Sequence, residues 1–336
     1  ALLGIRLLLG IAESSAYPAA AGLIKNWARP EERGRFSSVV AFGGRMGGAI
    51  APWLTAALAG MLAGVAVVEW FISTTPAPAD ASGKEPANWR GVFVVYGLCG
   101  LLVGFVFWLI VRDRPGAPAP SESTPQPERS FVQRVGVLAR SRNMWFYGGL
   151  QFGVNLGWAF IVTLLPMYLN EVFAIPLEEV GPMQSTALSI GCIGMIFGGV
   201  VTDALRQLLG PRLGRSLPIA ATLACCAAVF FVIPGLPSAW AVVVALGVMA
   251  FCVDLHNPAI WSFAQDVGGK NVGAALGWGN MWGNLGAALS PVVLTLIHTS
   301  MGWNSAFVFC AFAFVAAAVC GFLLDATRPI DASDAS

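Results

Sequence analysis

Residues 6–35 read RLLLGIAESSAYPAAAGLIKNWARPEERGR, an apolar run that carries Arg6 and Glu13 before it gives way to a loop with four cations, Lys25, Arg29, Arg33 and Arg35. An ionisable side chain inside a membrane span is costly, so an Arg and a Glu in one span point to function. Seven residues are nearly two helical turns. Both side chains therefore project from one face, about 10 Å apart along the axis, which leaves room for a small anion or a proton relay.

The rest of the chain has the same character. Hydrophobic residues make up 57% of it and charged residues 11%, whereas a soluble domain carries about a quarter charged residues. The expectation is an all-α integral membrane protein. A net charge of +1, with no soluble basic face, gives no reason to expect a nucleic-acid partner. The seven cysteines, Cys99, Cys192, Cys225, Cys226, Cys252, Cys310 and Cys320, all lie in apolar stretches without a Cys-x-x-Cys pair. They read as small core residues rather than disulfides or metal ligands. His256 and His298 lack metal-like spacing, and neither a metal nor a cofactor is expected. Because the chain starts at Ala1 with no charged lead-in, it is expected to lack a signal peptide and to be truncated at its N-terminus.

Apolar stretches of bilayer length recur throughout, at 1–25, 37–67, 91–111, 144–169, 180–202, 216–234, 239–263, 271–297 and 304–324. The fifth is diluted by Gln184, Ser185, Thr186 and Ser189. The loops 25–35, 112–142, 203–215 and 264–270 and the C-terminal tail together hold fifteen Lys and Arg, while the opposite set holds only Lys84 and Arg90. The positive-inside rule then places the first set, and the C-terminus, in the cytoplasm. Only Arg6 and Arg45 remain as intramembrane cations. The Pro/Ser/Glu-rich stretch 115–128 reads as a flexible linker, dividing the chain into a three-span part (1–113), the linker (114–142) and a six-span part with its tail (143–336). Residues 74–88 read as a solvated outer loop.

These residues carry a resemblance. The quoted stretch, with Arg6, Gly10, Glu13, Pro18, Trp27, Glu32, Arg33 and Arg35, resembles the fourth helix and following cytoplasmic loop of the anion:cation symporter family within the major facilitator superfamily. The likeness continues in NWRGVFVVYG before RDRP, in GWAFIVTLLPMYLNE and in GNMWGNLGAALSP. It implies a twelve-helix transporter of two six-helix bundles, a monomer in a bacterial inner-membrane type of cell membrane, with helices four to twelve present here. The loop GGVVTDALRQLLGPRLGR (198–215) is similar to the superfamily's cytoplasmic loop signature, with Ala204 where the stronger version has a basic residue. Asp203 with Arg206, Arg212 and Arg215 would then form a charge clamp that locks one conformation. The alternative is a plain positive-inside loop.

Mid-span, a Glu13 anion would cost about 2.5–3.5 kcal/mol. Burial raises its pKa, Arg6 lowers it, and an arriving anion tips the balance toward proton uptake. That would make Glu13 a coupling switch, the alternative being a fixed pair with Arg6. Arg6 is the candidate carboxylate partner, because its guanidinium forks onto a carboxylate as Lys cannot. Arg45, among Gly43, Gly44, Gly47 and Gly48, is a second anion contact or the partner of an acid elsewhere. Gln151, Asn155 and Trp158 share a helical face, as do Asp254, Asn257 and Trp261 in the span holding Pro258, while Asn280 and Asn284 oppose Trp278 and Trp282. Amides suit the hydroxyls of a sugar acid and a tryptophan stacks on its ring, although interhelical hydrogen bonding also explains the amides. Asp254 fits a second protonatable site better than an anion contact.

Two function classes follow. One is a proton-coupled symporter of a small organic anion, a hexuronate- or aldonate-like sugar acid first; phthalate-like carboxylates, sialic acid, small hydroxy acids, phosphate and sodium coupling stay open. The other is an intramembrane enzyme, for which neither HExxH nor GxSxG is present.

Overall fold

The computed structural model describes residues 2–61, 89–111 and 130–330. The outer loop 74–88, the linker core 115–128 and the end of the second span lie outside them. Every regular element among the described residues is a helix: α1 (Leu2–Glu13), α2 (Ala16–Trp27), α3 (Arg33–Met61), α4 (Trp89–Ile110), α5 (Phe131–Arg140), α6 (Arg142–Ala159), α7 (Leu165–Phe173), α8 (Leu177–Val232), α9 (Ala239–Val267), α10 (Val272–Met301) and α11 (Trp303–Phe322). Seven helical stretches are long and apolar enough to cross a membrane. Two compact units result. Residues 44–115 form one, in which the hydroxyls of Thr55 on α3 and Tyr96 on α4 are hydrogen-bonded at 2.9 Å. Residues 1–43 and 116–336 form the other.

Three departures from the expected spans have local causes. The first span is not one unbroken helix but breaks at Ser14 and Ser15, because Pro18 has no N–H for the Ser14 carbonyl. Pro166 acts likewise. It deprives Val162 of a donor, and the chain answers with a π turn at Phe160–Leu164 between α6 and α7. Gln184 repairs the loss, its amide donating to Ile161 O at 2.7 Å and Val162 O at 3.0 Å. A residue that weakened the fifth span on hydropathy thus has a structural use.

The third departure is the loop expected over 203–215. Helix instead occupies nearly all of it, and α8 is two helical limbs that meet at a kink at Gly210. The helix folds back at Gly210, whose φ of 79° is left-handed and suits glycine, with Pro211 opening the return limb. The first limb lies against α9 through Gly194 and Gly198, where an added Cβ would collide with the carbonyls of Phe251 and Leu255. α6 seats against α10 in the same way through Gly286, which meets the Phe152 carbonyl. Small residues replace a hydrophobic driving force in lipid by letting backbones approach.

Candidate functional site

The cation-rich ends of the helices carry the densest polar structure. α3 begins at Arg33, and its first backbone N–H groups have no partner inside the helix. Asp203 supplies one from α8: Oδ1 accepts the Gly34 N–H and Oδ2 the Arg35 N–H, both at 3.0 Å. A carboxylate at a helix N-terminus is also favoured by the helix dipole. The approach requires glycine at 34, where a Cβ would stand 2.5 Å from Asp203 Oδ1 and 2.9 Å from the Gly199 carbonyl.

Arg215, on the return limb of α8, is fully buried. Its guanidinium lies 3.6 Å from Asp203 Oδ1, Nε donates to Asp266 Oδ2 at 3.1 Å, and NH2 donates to Pro30 O at 3.2 Å. Asp266, at the end of α9, also accepts from Arg33 at 2.8 Å. Asp203, Arg215, Asp266 and Arg33 thus form a chain of alternating charge with no net charge. Around it, Arg206 pairs with Glu31 at 3.0 Å, Gln265 donates to Ser37 Oγ at 3.3 Å, Ser38 Oγ donates to Met195 O, and Lys25 donates to Gly269 O. A hydrogen bond from its own backbone amide, then the Arg206 contact, hold the Glu31 carboxyl below its ordinary value.

Of the four expected clamp residues, Asp203, Arg206 and Arg215 meet the α2–α3 junction. Arg212 does not; it is exposed and lies within electrostatic reach of Asp325 instead. Sequence reasoning missed Arg33, Glu31 and Asp266. The first two stand in the quoted ARPEERGR run, and Asp266 is the lone acid in the loop expected over 264–270, so a search for partners of Arg215 had a small field.

Along the spans the expected residues fall into separate neighbourhoods. Glu13 closes α1 and is exposed; the side chain of Arg6, one helix with it, lies outside the described set. Arg45 is half-buried in the other unit. The Cβ positions at Gly43, Gly47 and Gly48 meet no described atom within 4 Å. Asn155 donates to Gln151 O at 2.9 Å, and both face Gly283 of α10, whose Cβ position is 2.7 Å from Asn155 Nδ2. Trp158 and Asn257 are half-buried, as is Asn280, while Asn284 is exposed. Asp254 is buried against Gly191 of α8. Trp261, on the same face, packs edge-on against Tyr17 of α2 with ring centroids 5.3 Å apart. Trp278 and Trp282, opposite the amides, pack with Trp145.

This arrangement has known relatives. The chain is 27% identical over 308 residues to the "Probable sulfoacetate transporter SauU" of Cupriavidus necator, covering 87% of this chain and 64% of that protein. It is 22% identical over 344 residues to the "Probable L-galactonate transporter" of Escherichia coli, covering 97% and 69%. The chain thus spans about two thirds of the length of these bacterial relatives. Vesicular glutamate transporter 2 of Mus musculus is 26% identical over 221 residues, 60% of this chain and 33% of that one. Among solved structures, a variant of the E. coli fucose:proton symporter FucP superposes with a TM-score of 0.66 at 17% identity, over 93% of this chain and 73% of that chain. That likeness speaks for the fold. With the family profile described as Major Facilitator Superfamily matching residues 1–291, the chain belongs to the Major Facilitator Superfamily.

Proposed function

We propose that the protein is a secondary active transporter that moves a small organic anion, a hexuronate- or aldonate-like sugar acid, together with a proton by alternating access. The observation that carries this reading is the clamp. A fully buried Arg215 bridging Asp203 and Asp266, with Asp203 capping α3, is a set of reversible polar contacts between the α2–α3 junction and the ends of helices α8 and α9. Such contacts can be traded for water when one end of the molecule opens. The fifteen cations gathered in the same set of loops favour the cytoplasm for that end, so the clamped form is the one closed to the cytoplasm.

In this reading Arg6 and Arg45 attract the anion, and Glu13 takes a proton as the anion arrives and releases it inside. Gln151, Asn155, Asn257, Asn280 and Asn284 supply neutral hydrogen bonds, with Trp158 and Trp261 as ring platforms, and Asp254 is a second protonatable group. The relative named for sulfoacetate favours a second reading, a smaller sulfonate–carboxylate dianion. Full-length protein in vesicles separates the readings: an imposed inward proton gradient should concentrate labelled galactonate, sulfoacetate or both, and a protonophore should abolish it. Accumulation driven by sodium alone would replace the coupling ion. Conversion of the label to a product would overturn transport.

A further inference from the structure

We infer that α5, the first turn of α6 and the C-terminal turn at 325–328 form a binding surface for anionic phospholipid headgroups of the cytoplasmic leaflet; this rests on the cytoplasmic orientation argued above. α5 is a ten-residue helix closed at its start by a capping box, with Ser130 Oγ accepting the Gln133 N–H and Gln133 Oε1 accepting the Ser130 N–H. A helix this short needs a surface to lie on. Leu138 provides one contact, buried against the protein. Val132, Val135 and Ala139 fall within about 60° of one another at 100° per residue, and Val132 is 77% exposed. A single extended residue, Ser141, separates α5 from α6, so the axis breaks where the chain enters its span. The apolar strip is therefore at interface depth rather than in open water.

Trp145 marks the same level. Its indole N–H donates to Ala139 O of α5 at 2.8 Å, its ring is half exposed, and it sits beside Trp278 and Trp282, as tryptophans do at a bilayer interface. Charge complements the strip. Asn143 binds the C-terminal turn, donating to Asp325 O at 2.8 Å and Arg328 O at 3.3 Å while accepting the Asp325 N–H at 3.1 Å. That contact brings the turn that carries Arg328 against the first turn of α6, which holds Arg142 and follows Arg140 closely in the chain, with Arg212 in electrostatic reach of Asp325. All four arginines are exposed; among the described residues Asp325 is the acid beside them, and it pairs with Arg328 at 3.3 Å. A basic amphipathic helix flanked by interfacial tryptophan fits phosphatidylglycerol-type headgroups over acyl chains.

The test is phosphatidylglycerol retention, read by native mass spectrometry after release from mixed phosphatidylcholine/phosphatidylglycerol nanodiscs. The parent protein should keep phosphatidylglycerol in preference to phosphatidylcholine. Arg140→Gln/Arg142→Gln/Arg328→Gln should weaken that retention about fivefold per arginine, about a hundredfold in all, at an unchanged melting temperature. The corresponding triple Lys variant should retain it. Unaltered phosphatidylglycerol preference in the Gln variant would overturn the inference, as would displacement by free glycerol phosphate at equal concentration. Because the readout needs no transport, failed uptake with intact lipid preference would count against the proposed function alone.

Discussion

Asp203→Asn isolates what the clamp contributes. The side chain keeps its shape, but an amide has one acceptor oxygen where the carboxylate has two, so one of the two 3.0 Å bonds to Gly34 and Arg35 N–H is lost and the other loses its charge. Arg215, fully buried and 3.6 Å away, is left with Asp266 as its one anionic partner among the described residues. A hydrogen bond to a charged group contributes about 1.5–3 kcal/mol. Losing one and weakening another should therefore cost the clamped state about 2–3 kcal/mol, a shift of about thirty- to one-hundred-and-fifty-fold toward the form open to the cytoplasm. Ser37 reports the shift, since it lies fully buried beneath the clamp. On a cysteine-free background with Ser37→Cys, maleimide labelling in inside-out vesicles should accelerate by that factor in Asp203→Asn. A labelling rate within twofold of the parent, in protein that still elutes as a single species, would refute the gate.

Glu13→Gln in the full-length protein should preserve anion counterflow and abolish accumulation driven by a proton gradient, as uptake in energised vesicles would reveal; unimpaired accumulation would transfer coupling to Asp254. Arg6→Lys should raise the dissociation constant of the anion about ten- to a hundredfold despite the retained charge, because one ammonium does not replace two parallel hydrogen bonds; a thermal-shift titration measures it, and parent-like affinity would remove Arg6 from the site. Gly194→Ala should destabilise by about 1–3 kcal/mol, since a Cβ there has a backbone carbonyl of α9 in its way and a backbone yields less readily than a side-chain tip; a melting curve within 1 °C of the parent would contradict the packing. Single cysteines at Ser82 and Ser123 should label with impermeant maleimide in intact cells at 82 alone, and the reverse pattern would invert the topology.

The membrane class and the superfamily were legible in the chain, because lipid imposes a one-dimensional rule. Spans must be apolar and continuous, loop cations sort to one side, and any charge that breaks the pattern is conspicuous. The kinks were half legible: Pro18 and Pro166 announce a broken ladder, but not that Gln184 would satisfy the carbonyls freed at Ile161 and Val162. The loop expected at 203–215 shows the limit of hydropathy. Polar composition marks where the chain leaves the lipid, yet helix and loop read alike there, and only the left-handed Gly210 fixes the corner.

Pairing across the fold belonged to the tertiary structure. Arg215 lies 185 residues from Pro30 and 51 from Asp266, and nothing local to any of the three specifies the others. Which cation joins the clamp is decided by the face of its limb that it occupies, since Arg212 and Arg215 follow Gly210 on the same limb. Arg215 points under the corner and is buried, whereas Arg212, three residues earlier, is turned toward Asp325. The same holds for Asp203, which beside Arg215 takes as its hydrogen-bond partners the two open N–H groups of α3, a property of a helix end that exists only once α3 has formed and α8 has been brought against it. Sequence alone determined which groups are expensive in a membrane; the packed helices decided which of those costs offset one another.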